Sequence, residues 1–218
     1  MATPARVLVV DDHALFRDGL ISLIGRWSEF EVVGSAGDGR EALALVGRLA
    51  PDLVLMDVRM EGMGGVEATK QITAVDSRVR IAMLTVSNLG EDVFEALRNG
   101  AHGYLSKNET AEHLRESLQG IMRGEAVMSS TIAAKVLAEF AQPDRPGAAG
   151  ETGAERLSRR ELEVLSLLVE GLSNDEIAHT MHLSEATVKK HLGSIMAKLH
   201  LRNRVQVAVF GVRRGIVG

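Results

Sequence analysis

The chain has 218 residues, a formal charge of −4, 45% hydrophobic and 25% charged residues, and no cysteine. Its length suits one large domain or two modest ones, and the lack of Cys excludes disulfides, thiolate zinc sites and thiol nucleophiles. No apolar run is long enough to span a membrane, and MATPARVLVV lacks a signal-peptide layout, so a cytoplasmic location and no membrane partner are expected.

In chain order, strands are predicted over 6–10, 30–35, 52–57, 79–85 and 102–105. Amphipathic helices are predicted between and after them, over 13–26, 38–49, 63–75, 90–99 and 110–122. Five strands alternating with five helices argue an α/β fold, a five-stranded doubly wound parallel sheet with both faces covered. Its central strands should read as nearly continuous apolar runs, and Val7–Val10 and Leu53–Met56 do.

Polar residues stand where those strands end. Asp11 and Asp12 follow the first, Asp57 ends the third, Thr85 ends the fourth, and Lys107 lies just past the fifth. Ligands of doubly wound sheets bind outside the carboxyl ends of the strands. Three clustered carboxylates repel one another, and a divalent cation keeps them ionised. All-oxygen ligation suits Mg²⁺. The pattern therefore predicts a metal-assisted phosphoryl site.

Charge separates along the chain. Residues 1–140 carry 14 Lys+Arg against 20 Asp+Glu, whereas residues 156–218 carry 10 against 6. An acidic front joined to a basic tail fits a regulatory or catalytic part joined to a nucleic-acid reader. The seam, 124–155, contains AQPDRPGAAGETGAE, a linker by composition, preceded by a short helix predicted over 130–140.

Beyond it the pattern is helical only. Ser158 and Glu161 form a capping box, Leu162, Leu165, Leu168 and Val169 give the buried stripe, and Gly171 ends the helix. Ser173 caps a second helix over 174–181. Ser184 caps a third over 185–199, with Val188, Leu192, Ile195 and Leu199 inward. A fourth covers about 204–214. The short turn between the second and third helices is that of a helix-turn-helix. Thr187, Lys189, Lys190 and His191 then lie outside or at the flank of the third helix, where they can meet phosphates or base edges. Arg202 and Arg204 are candidate phosphate clamps. Val205, Val209 and Val212 form a stripe on the last helix that could serve either a dimer contact or the domain's own core.

The stretches VLVVDDH, LVLMDVRM, MLTVSN and GYLSKN, over about residues 5–122, resemble the flavodoxin-like receiver domain of two-component response regulators. Residues 156–218 resemble the four-helix LuxR-type domain of the NarL/FixJ subfamily. The resemblance implies domains at 1–123 and 156–218, with 124–155 as linker. It implies that Asp57 is the phosphoacceptor and that Asp11, Asp12, Asp57 and the backbone carbonyl of Arg59 hold Mg²⁺. Thr85 and Lys107 would bind the phosphoryl oxygens, and Tyr104 would turn inward as a switch once Thr85 moves. The Arg59 and Ser87 side chains could position the hydrolytic water. Implied partners are a sensor histidine kinase, double-stranded DNA, a second copy when phosphorylated, and RNA polymerase. Two features depart from the family: Glu61 replaces the usual Pro after Met60, and Gly193 stands at a base-reading position. Two rival readings stay open. One is an Asp-nucleophile hydrolase, although Arg59 occupies the place its acid/base Asp requires. The other is a phosphorylation-independent regulator that uses the receiver as an interaction module.

Overall fold

The computed structural model describes residues 3–86, 91–128 and 157–216. The chain forms two compact units that part at Ala133–Ala134, inside the stretch expected as linker. Ser87 and the helix expected over 130–140 lie outside the described residues.

The first unit runs β1 (Ala5–Val10), α1 (Ala14–Ile24), β2 (Phe30–Ala36), α2 (Gly39–Leu49), β3 (Leu53–Asp57), α3 (Gly65–Val75), β4 (Arg80–Thr85), α4 (Glu91–Arg98), β5 (Gly103–Ser106), α5 (Ala111–Arg123) and β6 (Val127–Met128). The sheet order is β2-β1-β3-β4-β5-β6, and every pairing is parallel. The sixth strand is a correction to the expected five. It is only two residues long, too short for a periodic signal, and it takes the first residues of the expected linker into the sheet beside Gly103 and Tyr104.

Helix ends follow local chemistry. Asp38 caps α2 by accepting from the amides of Arg40 and Glu41, and Thr110 caps α5 by accepting from that of His113. Alternate residues of the strands fill opposite faces. Val7, Val9, Leu53, Leu55, Ala82, Leu84 and Leu105 pack with Leu20, Ile24, Leu114, Leu118 and Ile121 of α1 and α5. Leu8, Val10, Val54, Met56, Ile81 and Met83 are equally buried on the other face. With no face left to water, an all-parallel sheet is the expected arrangement.

His102 sits where β5 begins. Its ring Nδ1 accepts from the Ile81 amide at 3.3 Å, and burial, with the nearby Arg80 cation, lowers its pKa from 6.5 to about 4. Below pH 6.5 the unfolded chain takes up a proton that the folded ring refuses, so stability falls as pH drops from 6.5 to about 4. The expected loss in this unit across that window is on the order of 3 kcal/mol. Asn at position 102 keeps an acceptor for Ile81 and does not titrate. Urea unfolding of His102→Asn at several pH values should therefore show a flatter profile than the parent. Identical profiles would refute the assignment.

The second unit runs α6 (Arg159–Val169), α7 (Asn174–Met181), α8 (Glu185–Leu199) and α9 (Arg204–Arg213). Both Ser158 and Ser173 form complete capping boxes, with Glu161 and Glu176. Ser184 accepts from the Thr187 amide. Val164, Leu165, Leu168, Ile177, Val188, Leu192, Ile195 and Val207 make the core. Val205 and Val209 are also buried, which leaves only Val212 of the expected stripe partly exposed. No helix among the described residues is long and apolar enough to cross a membrane.

Candidate functional site

Parallel pairing brings the polar strand ends together. Asp57 is in register with Leu84, one residue before Thr85, and Thr85 is in register with Ser106, one residue before Lys107. The Lys107 amide donates to the Thr85 carbonyl at 2.7 Å, which fixes the lysine's stem. Its ammonium lies over the Phe16 ring, 4.8 Å from the centroid, and 2.7 Å from both Asp11 Oδ2 and Asp57 Oδ2. Only the contact with Asp57 has hydrogen-bond geometry. Asp11 Oδ2 is neutralised by the charge but is left buried without a hydrogen-bond partner.

Burial raises the Asp57 pKa, and the bond from Lys107 offsets this only in part. Burial would lower that of Lys107, but its contacts with Asp11 and Asp57 outweigh burial and raise it. Asp12 is the more exposed acid. Its Oδ1 lies 3.0 Å from His13 Nδ1, and its Oδ2 accepts from the Glu61 amide at 3.2 Å. That second bond needs an N–H at position 61, which proline lacks. The departure from the family pattern therefore supplies a donor to a candidate metal ligand.

Asp11, Asp12, His13 and Asp57 each offer a ligand atom, all within 4.8 Å of one another. Three carboxylates against one ammonium leave an excess of negative charge, two of the acids are buried, and one buried oxygen lacks a donor. Those features fit a divalent cation.

Tyr104 is 1% exposed, and its hydroxyl is hydrogen-bonded with Thr85. Its ring is thus already inward. The Arg59 side chain points to α4, where Nε and Nη2 donate to Asp92 Oδ2 at 3.2 and 3.1 Å. Asp92 carried no signal in the sequence, because its partner lies 33 residues away. His13 was legible only as the neighbour of two acids.

In the second unit α8 presents the expected surface. Lys189 and Lys190 are exposed, Thr187 and His191 are partly so, and Lys189 pairs with Glu185 at 2.9 Å. Thr187 Oγ1 meets Ser184 Oγ at 2.8 Å. Gly193 is exposed, with open space where a side chain would stand, so no packing demand explains the glycine. Arg202 is exposed, whereas the Arg204 guanidinium donates to Asn174 Oδ1 and to the Leu172 carbonyl. Arg204 therefore ties the start of α9 to the start of α7, a structural role its sequence position did not announce.

Glu161 does more than close its box. It accepts from the Ser158 amide at 2.7 Å, from Ser194 Oγ at 2.6 Å and from Lys198 Nζ at 2.6 Å. Burial would raise its pKa, but these bonds hold it down at about 2.

Residues 7–119 match the family described as response regulator receiver domain, and residues 155–210 match the LuxR family of bacterial regulatory proteins. The uncharacterized transcriptional regulatory protein YxjL of Bacillus subtilis is 39% identical over 212 residues, covering 97% of both chains. LiaR of the same organism, a transcriptional regulatory protein, is 37% identical and covers 97% of this chain and 99% of its own. Among solved structures, the response regulator ChrA of a heme-sensing two-component system aligns with a TM-score of 0.53 and 28% identity, covering 99% of this chain and all of that one. Receiver domains catalyse only their own phosphorylation and dephosphorylation. With an acid-lined strand-end site in one unit and a capped helix-turn-helix in the other, the chain belongs to the NarL/FixJ family of two-component response regulators, whose work is phosphorylation-linked regulation through DNA.

Proposed function

We propose that the chain is phosphorylated on Asp57 by a sensor histidine kinase, and that the phosphorylated form pairs with a second copy to bind two half-sites in double-stranded DNA. The observation that carries this reading is Lys107 Nζ at 2.7 Å from both Asp11 and Asp57, beside Thr85. An Asp57 oxygen forms the new bond to phosphorus while the bond from phosphorus to the histidine nitrogen breaks and the imidazole leaves. Lys107 balances charge on the transferred group, and Thr85 donates to one of its oxygens. Asp11, Asp12, Asp57 and the Arg59 carbonyl would hold Mg²⁺. Bound there, the ion supplies further charge neutralisation on the phosphoryl oxygens.

Tyr104, bonded with Thr85, reports the state of that hydroxyl to the surface beside α4 and β5. In the second unit, Thr187, Lys189, Lys190, His191 and Arg202 meet the duplex, Gly193 leaves one reading position without a side chain, and Arg204 acts chiefly by holding α7. One helix-turn-helix reads few base pairs, which is why paired half-sites are expected. The setting is cytoplasmic, with RNA polymerase as a further partner. Arg59 turned toward Asp92 gives the hydrolase reading no acid/base where it requires one.

The test uses the full chain, a small phosphoramidate donor and Mg²⁺. Mass spectrometry should find one phosphoryl group, on Asp57. Sedimentation should move toward a dimer, and affinity for a two-site duplex should rise by roughly tenfold or more. Phosphorylation on another residue would overturn the site assignment. Unchanged sedimentation and affinity on full phosphorylation would overturn the coupling.

A further inference from the structure

Glu161 is 3% exposed, and its carboxylate joins two helices. The capping box requires only its bond from the Ser158 amide. The bonds from Ser194 and Lys198 reach across to α8, where those residues lie four apart and so share one face. The inward stripe of Val188, Leu192 and Ile195 decides which side of α8 is buried, but apolar contacts tolerate small rotations and slides. Charge-assisted bonds to a fixed carboxylate do not. A buried ion pair is also weak evidence for stability, because well-packed apolar groups often do as well. Fixing a register is its better-attested use.

We propose that Glu161 is a positioning residue for DNA reading: through Ser194 and Lys198 it sets the rotation and height of α8, and so where Lys189, Lys190 and His191 meet the bases. This rests on the reading of α8 as the DNA-contacting helix. A second effect follows from charge. The carboxylate neutralises Lys198, so breaking the pair returns one cation to the surface. Loss of Glu161 should therefore weaken recognition of a preferred sequence while sparing, or even strengthening, attraction to any duplex.

The test takes a duplex enriched by the parent chain from a random-sequence pool, and a scrambled duplex of equal length. Affinity of the full chain for both is measured against salt. Glu161→Gln should lose about tenfold or more of the discrimination between them. Its binding to the scrambled duplex should hold or rise, with a salt slope steeper by up to about 1. Lys198→Met should lose discrimination without the steeper slope, and the double variant should lose no more than the worse single one. Should Glu161→Gln fail to fold, Ser194→Ala, which removes one bond and no charge, should still lose discrimination several-fold. Proportionate weakening on both duplexes, the result of a merely structural role, would overturn the proposal, as would unchanged discrimination. A parent chain that enriches no duplex would instead sink the DNA-reading assignment, and this proposal with it.

Discussion

Asp57→Asn is expected to leave the full chain without any covalent phosphoryl group after treatment with a phosphodonor, and to stabilise the metal-free receiver at neutral pH. The chemical loss follows because a carboxamide cannot form an acyl phosphate. The gain in stability follows from burial. The folded state raises the Asp57 pKa despite Lys107, so the folded chain holds a proton more tightly than the unfolded one does. Stability is lost as pH rises from the ordinary carboxyl range through the raised value. Asn removes it. Lys107 has the opposite sign: its raised pKa contributes stability that is present below pH 10.5 and lost as pH climbs through the raised value. With Asp11 left as its anion among the described residues, that alkaline limb should shrink. Intact-mass analysis reads the first effect, and urea unfolding with a chelator at pH 7 and above pH 10 reads the second. A phosphorylated Asn variant, or one less stable at pH 7, would contradict the account.

Gly65→Ala should destabilise the receiver by about 3 kcal/mol or more, with a fall in Tm of roughly 10 °C. Gly65 opens α3, and a methyl group there would stand 1.9 Å from the Asp57 carbonyl oxygen and 2.9 Å from Met56 Cγ. The first obstacle is backbone and cannot rotate away. Relief requires moving either the start of α3 or the phosphoacceptor itself, so the folded fraction should also phosphorylate slowly. Gly47→Ala is the matched control. Gly47 lies exposed within α2, with nothing within 4 Å of an added methyl, and the same change there should stabilise by about 0.5–1 kcal/mol through helix propensity. Calorimetry of the two variants separates crowding from any general dislike of alanine. Equal and small shifts would show that the α3 entrance yields more easily than its geometry implies.

The strands were legible because a sheet buried on both faces needs unbroken apolar runs, and the site was legible because Asp11, Asp57, Thr85 and Lys107 end such runs. What stayed hidden depends on contacts between distant residues. The Arg59–Asp92 pair joins a loop to a helix 33 residues away, and nothing local marks either residue. Arg204 read as a phosphate clamp because its charge was visible and its acceptors, Asn174 and the Leu172 carbonyl, were not. Glu161 announced its cap, three residues from Ser158, but not Ser194 and Lys198 across the core. The valines of α9 illustrate a different limit. Spacing placed them on a stripe, and only packing shows that Val205 and Val209 are inside.

The two-residue strand β6 also has a mechanical meaning. Among the described residues of the receiver Met128 is the last, and the ladder from Val127 and Met128 to Gly103 and Tyr104 holds that end in the sheet. A pull on β6 therefore enters the receiver through the strand that carries Tyr104, whose hydroxyl is bonded with Thr85. Traction and phosphoryl chemistry converge on one short strand: a load on β6 meets β5 at Gly103 and Tyr104, and a charge on Asp57 meets it at its other end, through Lys107.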